Sequence, residues 1–157
     1  MKFHIVFDCD GTLLDTSHYR YSLFPGIKEL LADLAQDSIL YVWTARDRAS
    51  LIRILEEHGV YSYFDSFCTL EDAHPKPHIS GLIELVGMHP KDSICVIGDT
   101  SNDILGARNF GVKSIAAGWN KELNGPYLRE IGADFIVMDP IECSRIIRLN
   151  LKGDTHV

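Results

Sequence analysis

The chain alternates short apolar runs with amphipathic stretches, and this alternation constrains its fold most strongly. The apolar runs cover residues 2–7, 38–43, 66–69, 93–97, 113–117 and 134–138. Short, largely apolar runs are typical of parallel strands that are covered on both faces. Between them, apolar residues recur at spacings of three and four and predict helices near residues 25–34, 47–59, 80–86 and 101–110. The pattern therefore predicts an α/β fold with a doubly wound, mainly parallel central sheet.

Length and composition favour one globular domain. The chain has 157 residues, of which 46% are hydrophobic. This composition excludes intrinsic disorder, and a chain of this length can form a hydrophobic core. We expect a single domain over residues 1–157, with a short flap at about 13–24 and a loosely ordered tail at about 150–157. The net charge of −7 argues against a nucleic-acid partner, which would need clustered Lys and Arg, and it suits a protein that binds a divalent cation.

Two further features predict a cytoplasmic protein without membrane association. No apolar run approaches the roughly 20 residues of a membrane span, and the first run turns acidic at Asp8 before a signal-peptide core develops. The four cysteines, in no close pair, predict buried, reduced thiols; they are Cys9, Cys68, Cys95 and Cys143.

Polar side chains follow several of the predicted strands at the point where each strand ends. In open α/β sheets, ligands bind beyond the carboxyl ends of the strands. We therefore expect four carboxylates, a hydroxyl and a lysine to converge on one edge of the sheet; these residues are Asp8, Asp10, Thr44, Lys76, Asp99 and Asp103.

This combination of side chains predicts phosphoryl chemistry. Clustered carboxylates stay ionised together only when a cation neutralises them, and oxygen ligands of this kind suit Mg²⁺. Lys76 and Thr44 suit an anion beside the cation, and a metal with an anion clamp is the arrangement of phosphoryl transfer. Two assignments stay open. Asp103 either binds the metal or stabilises the first turn of a helix through the helix macrodipole. Arg46 either contacts the substrate or forms a surface salt bridge.

Four segments resemble the four motifs of the haloacid dehalogenase superfamily, in the family order. Residues 7–13 (Phe-Asp-Cys-Asp-Gly-Thr-Leu) resemble the first motif, and residues 42–44 (Val-Trp-Thr) resemble the second. Residues 76–77 (Lys-Pro) resemble the third, and residues 98–103 (Gly-Asp-Thr-Ser-Asn-Asp) resemble the fourth. Residues 25–27, 109–112, 118–119 and 132–135 are similar to phosphoglycolate phosphatase-like members. The resemblance implies a three-layer, Rossmann-like fold.

The resemblance also implies roles for the motif residues. Asp8 would be the nucleophile of a Mg²⁺-dependent phosphatase that hydrolyses a phosphate monoester through an aspartyl-phosphate. Asp10 would act as general acid and then as general base. Mg²⁺ would be held by the Asp8 carboxylate, the Asp10 backbone carbonyl and Asp99, with Asp103 binding directly or through water. Thr44 and Lys76 would hold the phosphoryl oxygens.

The chain departs from phosphoglycolate phosphatase-like members in lacking room for their helical cap. Only residues 14–24 separate the first motif from the predicted helix at Pro25, so we expect a capless protein. The substrate would then be a phosphorylated small molecule or a larger phosphorylated substrate. Leaving-group contacts would come from Arg46 and from the flap residues His18, Tyr19, Arg20 and Tyr21. An open site is also compatible with a homo-oligomer in which a neighbouring subunit acts as a lid.

Two alternatives from other classes remain. A phospho-accepting receiver module also combines clustered aspartates, a threonine and a lysine on a doubly wound sheet. However, receivers place the acidic pair after the first strand and the acceptor after a middle strand, whereas here Asp10 stands two residues past Asp8. The other alternative is a catalytically idle binding protein with the haloacid dehalogenase fold, although every motif residue is present.

Overall fold

The computed structural model describes residues 1–155 and confirms the predicted α/β alternation. The strands are β1 (Phe3–Phe7), β2 (Leu14–Asp15), β3 (Ser22–Leu23), β4 (Ser38–Trp43), β5 (Phe64–Cys68), β6 (Ile94–Gly98), β7 (Lys113–Ala117) and β8 (Phe135–Val137). The helices are α1 (Ile27–Leu34), α2 (Arg48–Glu57), α3 (Ser80–Val86), α4 (Ser101–Phe110), α5 (Gly125–Glu130) and α6 (Glu142–Asn150). Among these residues, every helix is too short or too polar to cross a membrane.

The central sheet has six parallel strands in the order β5-β4-β1-β6-β7-β8. The strand order reverses between β1 and β6, which pair directly, with Phe7 opposite Ile97. The residues that follow these two strands therefore emerge side by side at a topological switch point, where α/β sheets bind ligands. Asp8 follows β1 and Asp99 follows β6, so the sheet itself brings these two carboxylates together.

Helices cover both faces of the sheet and complete three layers. On one face, Phe7 of β1 packs in a cluster with residues of α1, α2 and α6, such as Leu30, Leu51 and Ile147. On the other face, Val6 packs in a second cluster with residues of α3 and α4. Alternate residues of β1 thus face opposite layers, as strand geometry requires.

A two-stranded hairpin occupies the predicted flap. Strands β2 and β3 pair antiparallel, with Leu14 opposite Leu23 and Asp15 opposite Ser22. Leu14 is buried, so the base of the hairpin is anchored in the core. The hairpin and α1 fill the whole segment between β1 and β4, which leaves no inserted cap there.

The expectation of a loose tail at about 150–157 is wrong for the residues through 155. Leu151 and Asp154 are buried, and the backbone of Asp154 exchanges hydrogen bonds with Lys2. Lys152 also donates its backbone N–H to the Asp92 carbonyl at 2.9 Å. The buried Leu151 and the backbone pairing with Lys2, just before β1, therefore order this segment. Residues 156–157 lie outside the described residues.

The cysteines match the prediction of buried thiols. All four are buried and free, and burial raises the pKa of Cys9, Cys68, Cys95 and Cys143. Cys9 lies between two site aspartates but packs in the core cluster beneath α1 and α2.

Candidate active site

The turn after β1 presents Asp8 at the carboxyl edge of the sheet. The Asp8 backbone N–H donates to the Ile97 carbonyl at 2.9 Å, which continues the pairing of β1 with β6. Gly11 then turns the chain with a φ of 83°, in the left-handed region that favours glycine. A Cβ at Gly11 would overlap the Asp99 carboxylate, so glycine is also required for space.

Lys76 lies between two carboxylates. Its Nζ donates to Asp8 Oδ1 at 3.0 Å and to Asp103 Oδ1 at 2.6 Å, and its side chain is only 10% exposed. Nζ also lies 4.8 Å from the centre of the Trp43 ring. Burial lowers the pKa of Lys76, but Asp8 and Asp103 outweigh burial and the net pKa is raised. Lys76 is therefore a fixed cation against the predicted nucleophile.

Three buried carboxylates meet at the site. Asp8, Asp99 and Asp103 each offer an oxygen within 4.8 Å of the others. Thr12 Oγ1 lies 3.5 Å from Asp8 Oδ2 and 3.4 Å from Asp99 Oδ1, and it bridges the two strand ends. Burial raises the pKa of Asp8 well above its usual value and also raises the pKa of Asp99. A single lysine does not neutralise three carboxylates, so this all-oxygen cluster fits a hard divalent cation.

Asp103 caps the first turn of α4 and also lies at the carboxylate cluster. Its Oδ2 accepts hydrogen bonds from Thr100 N at 3.1 Å and from Asp99 N at 3.2 Å, while the Thr100 side chain accepts from Asp103 N. This capping box starts α4. Its other oxygen faces Lys76, so the capping geometry also holds Asp103 at the carboxylate cluster.

Asp10 lies at the mouth of the site and faces Arg46. Arg46 Nη2 donates to Asp10 Oδ1 at 2.8 Å, and Arg46 Nη1 donates to Ser50 Oγ at 3.1 Å. The Asp10 side chain is 42% exposed, in contrast to the buried carboxylates behind it. The Tyr21 ring of the flap hairpin lies 5.9 Å from the Arg46 guanidinium. The structure thus pairs Arg46 with the predicted acid–base residue.

Thr44 is buried at the end of β4 beside this mouth. Its backbone N–H donates to the Cys68 carbonyl at 3.0 Å, and its Oγ1 accepts from Arg46 N at 3.0 Å. The hydroxyl proton can therefore still be donated to a ligand. Its part in phosphate binding remains a prediction.

Open grooves flank the mouth. One groove, lined by Asp10, Gly11 and Asp99, continues along the hairpin at Asp15 and past Glu122. A second groove of about 500 Å³ lies between the hairpin and α2, and is lined by Tyr19, Arg20, Tyr21, Arg46, Arg53, Ile54, Glu57 and His58. His18 lines a third cavity of about 680 Å³ beyond the hairpin. Tyr19, Arg20 and Tyr21 therefore share a groove with Arg46, whereas the cavity at His18 includes none of the predicted catalytic or metal-binding residues.

Two contacts of the turn after β1 were not predicted as parts of the site. Thr12 bridges Asp8 and Asp99, and Asn120 Nδ2 donates to the Gly11 carbonyl at 3.1 Å. Thr12 stands in the first motif, and this position in the sequence could have indicated that it belongs to the site. Asn120 follows β7, and no sequence pattern links it to Gly11.

Comparison with known proteins identifies relatives of this chain. The family model described as haloacid dehalogenase-like hydrolase matches residues 17–117. Phosphoglycolate phosphatase from Agrobacterium fabrum is 39% identical over 110 residues, which cover 63% of this chain and 47% of that protein. Pyrophosphatase PpaX from Bacillus cereus is 35% identical over 99 residues, which cover 60% of this chain and 44% of that protein.

The solved structures agree on the fold. A haloacid dehalogenase-like hydrolase from Streptococcus pneumoniae matches with a TM-score of 0.76 and 21% identity, over 92% of this chain and 97% of that one. This likeness concerns the fold alone. The chain spans about half the length of the curated relatives it matches.

Proposed function

The chain belongs to the haloacid dehalogenase-like hydrolase family, and from that premise we propose that it is a Mg²⁺-dependent phosphatase. The reaction would be hydrolysis of a phosphate monoester through an aspartyl-phosphate on Asp8. One observation carries the proposal: Asp8 is buried at the strand switch point, 3.0 Å from Lys76 Nζ, with Asp10 two residues away at the open mouth.

The carboxylate cluster supports a resident divalent cation. Asp8, Asp99 and Asp103 would hold the cation, together with the backbone carbonyl of Asp10. When bound, the cation would neutralise the cluster and draw electron density from the phosphoryl oxygens. The donor set consists of oxygens, which favours Mg²⁺ over softer metals.

In the first half of the reaction, an Asp8 carboxylate oxygen would attack the phosphorus, and the bond from phosphorus to the leaving oxygen would break. Asp10 would give its proton to that leaving oxygen, which departs as an alcohol. Lys76 would balance charge on the transferring phosphoryl group, and the Thr44 hydroxyl would donate a hydrogen bond to it.

In the second half, water would attack the phosphorus of the aspartyl-phosphate, and Asp10 would take the water proton. The bond between Asp8 and phosphorus would break, which releases inorganic phosphate and restores the Asp8 carboxylate. Arg46 Nη2 lies 2.8 Å from Asp10 Oδ1, so Arg46 would hold the Asp10 side chain in position at the mouth.

The open mouth supports a broad substrate class. With a hairpin in place of a cap, either a phosphorylated small molecule or a larger phosphorylated substrate could reach Asp8. Relatives named phosphoglycolate phosphatase and pyrophosphatase act on different substrates by name, so neither substrate transfers to this chain. We also propose a cytoplasmic location, supported by four free thiols, and a homo-oligomer in which a second subunit covers the mouth.

The proposal is tested by assaying the purified chain with Mg²⁺ on p-nitrophenyl phosphate, acetyl phosphate and a panel of natural phosphate monoesters. We expect multiple turnovers that EDTA stops. Asp8→Asn should abolish turnover and keep the fold by circular dichroism, while the surface variant Asp65→Asn should behave as wild type. An active Asp8→Asn protein would contradict the mechanism. A receiver module would instead take up one phosphoryl group without turnover, and an idle binding protein would take up none.

A further inference from the structure

A second cluster of metal-binding side chains lies at the opposite edge of the sheet from Asp8. His4 comes from the start of β1, His89 from the loop before β6, and Asp154 from the segment after α6. Asp154 Oδ2 lies 2.7 Å from His89 Nδ1 and 3.3 Å from His4 Nε2. His4 and Asp154 are almost fully buried, while the His89 side chain is 26% exposed.

The nitrogens of His4 are not both satisfied. Nδ1 lies 2.9 Å from the Tyr41 hydroxyl, but Nε2 is buried and makes no hydrogen bond with any residue the structure describes. If Nδ1–H donates to Tyr41, the bare Nε2 lone pair faces the Asp154 carboxylate, and two acceptors oppose each other. If Nε2 carries the proton, that proton has no aligned acceptor. Either tautomer leaves a buried polar atom unsatisfied, which is costly.

A proton shared by His4 and Asp154 is the first candidate to resolve this conflict. The geometry disfavours it, because His4 Nε2 lies 3.3 Å from Asp154 Oδ2 without forming an aligned hydrogen bond. The rings of His4 and His89 also stack with centroids 3.6 Å apart, so a charge on one ring opposes a charge on the other. A metal cation would satisfy the same atoms without protonating either ring.

We propose that His4, His89 and Asp154 form a binding site for a transition-metal ion of the Zn²⁺ class. The ligands would be His4 Nε2, His89 Nδ1 and Asp154 Oδ2, all within 4.8 Å of one another. Two imidazole nitrogens with one carboxylate oxygen are a donor set that suits Zn²⁺, with a fourth position left for water. The all-oxygen cluster at Asp8 has the opposite preference, so the two sites are chemically distinct.

Tyr41 gives the proposed site a supporting contact. Metal-ligating histidines usually donate their other ring N–H to a neighbouring group, which fixes the tautomer. The Tyr41 hydroxyl lies where it can accept that proton from His4 Nδ1. The rings of His4 and His89 lie within 19° of parallel, and binding of an ion between their nitrogens would move the rings apart. His89 is the ring on the solvent side.

The ion would have a structural role. Asp8 stands four positions after His4, about 13 Å along an extended strand, so the ion would take no part in the reaction at Asp8. It would join β1, the loop before β6 and the segment after α6. Binding to the folded state alone would raise thermal stability as the ion concentration rises above its Kd.

The test uses the full chain, freed of metal and then kept in excess Mg²⁺ so that the carboxylate cluster is occupied. We expect Co²⁺ to produce the intense visible absorption of a four-coordinate site with nitrogen ligands. We expect Zn²⁺ to bind one ion per chain by calorimetry and to raise the melting temperature. Since His89 is partly exposed, His89→Gln should fold and should weaken Zn²⁺ binding at least roughly tenfold; Asp154→Asn should act in the same direction.

His78→Gln is the matched control, because His74 and His78 form another histidine pair, with ring centroids 4.7 Å apart. This control should keep both the Co²⁺ spectrum and the Zn²⁺ affinity of wild type. The proposal is overturned if wild type gives no four-coordinate Co²⁺ spectrum, if His89→Gln binds Zn²⁺ as tightly as wild type, or if His78→Gln is the variant that loses binding.

Discussion

Asp8 and Asp10 stand two residues apart, and their surroundings fit them for different tasks. Asp8 is buried against Lys76 and Thr12, where an attacking oxygen would be held in place and shielded from water. Asp10 is 42% exposed and pairs with Arg46 at the mouth, where protons can be exchanged with solvent. Two carboxylates in unlike environments are a recurring device for dividing nucleophilic and acid–base work.

The proposed acid–base role of Asp10 predicts a dependence on the leaving group. Asp10→Asn should lower kcat/KM, which reports phosphoryl transfer to Asp8, by about 10²–10⁴-fold for alkyl phosphates, whose alkoxide must be protonated as it leaves. The loss of kcat/KM should be much smaller for p-nitrophenyl phosphate and acetyl phosphate, because their leaving groups are stable anions. Steady-state kinetics on both substrate types would measure the contrast. An equal loss on both types, or full activity on alkyl phosphates, would contradict the assignment.

At the scale of single residues, the sequence predicted the principal side chains of the site but not the residues with which they form hydrogen bonds and ion pairs. Asp8, Lys76, Asp99 and Asp103 were placed together because the carboxyl ends of parallel strands share an edge. The pairing of Asp10 with Arg46 required knowing how the turn after β1 directs each side chain. Thr12 and Asn120 were missed for the same reason, since their contacts depend on three-dimensional turn geometry.

The loop between β5 and α3 shows how an element holds a site residue in place. Asp72 accepts hydrogen bonds from Thr69 N at 2.8 Å, from Thr69 Oγ1 at 2.7 Å and from Arg48 Nη2 at 2.6 Å. These bonds join the loop to α2 four residues before Lys76. They also lower the pKa of Asp72, with the Thr69 hydroxyl as the largest cause.

This lowered pKa predicts how Asp72 affects stability as pH changes. The unfolded state, with an Asp pKa of about 3.9, binds the proton more readily than the folded state, so Asp72 stabilises the fold above that pH. The contribution is lost as pH falls through the lower folded-state value. Urea denaturation should show a difference in unfolding free energy between wild type and Asp72→Asn that is constant near neutral pH and shrinks below about pH 4.

Glu71→Gln is the control, since Glu71 is an exposed carboxylate beside Asp72. It should leave the unfolding free energy at neutral pH as in wild type. If the difference between wild type and Asp72→Asn grew as pH fell, the sign of the linkage would be wrong.

The strands of the central sheet were predicted more completely than the helices, whereas β2 and β3 were predicted only as a flap. The apolar runs that predict β1, β4, β6 and β7 begin and end within about two residues of the observed strands. The agreement is close because a strand that is buried on both faces requires an apolar sequence. The short helix α5 and the terminal helix α6 were not predicted. Ordering of the segment after α6 depends on pairing with Lys2, a contact between opposite ends of the sequence that no local pattern shows.

On the scale of the whole molecule, the two edges of one sheet carry different chemistry. The carboxyl edge gathers the all-oxygen cluster around Asp8, and the amino edge gathers the histidines around Asp154. The hairpin in place of a cap leaves the first edge open, which is why the reaction class is better defined than the substrate. The sheet order β5-β4-β1-β6-β7-β8 places β1 at the centre, where it contributes to both clusters.

The covalent phosphoryl-enzyme on Asp8 is the central claim, and mass spectrometry of acid-quenched turnover tests it most directly. Wild type mixed with excess acetyl phosphate and Mg²⁺ should carry one phosphoryl group on the peptide that contains Asp8, removable by hydroxylamine as expected for an acyl phosphate. Asp8→Asn should carry none under the same conditions. Sustained turnover with the phosphoryl group on another residue, or sustained turnover by Asp8→Asn, would contradict the account.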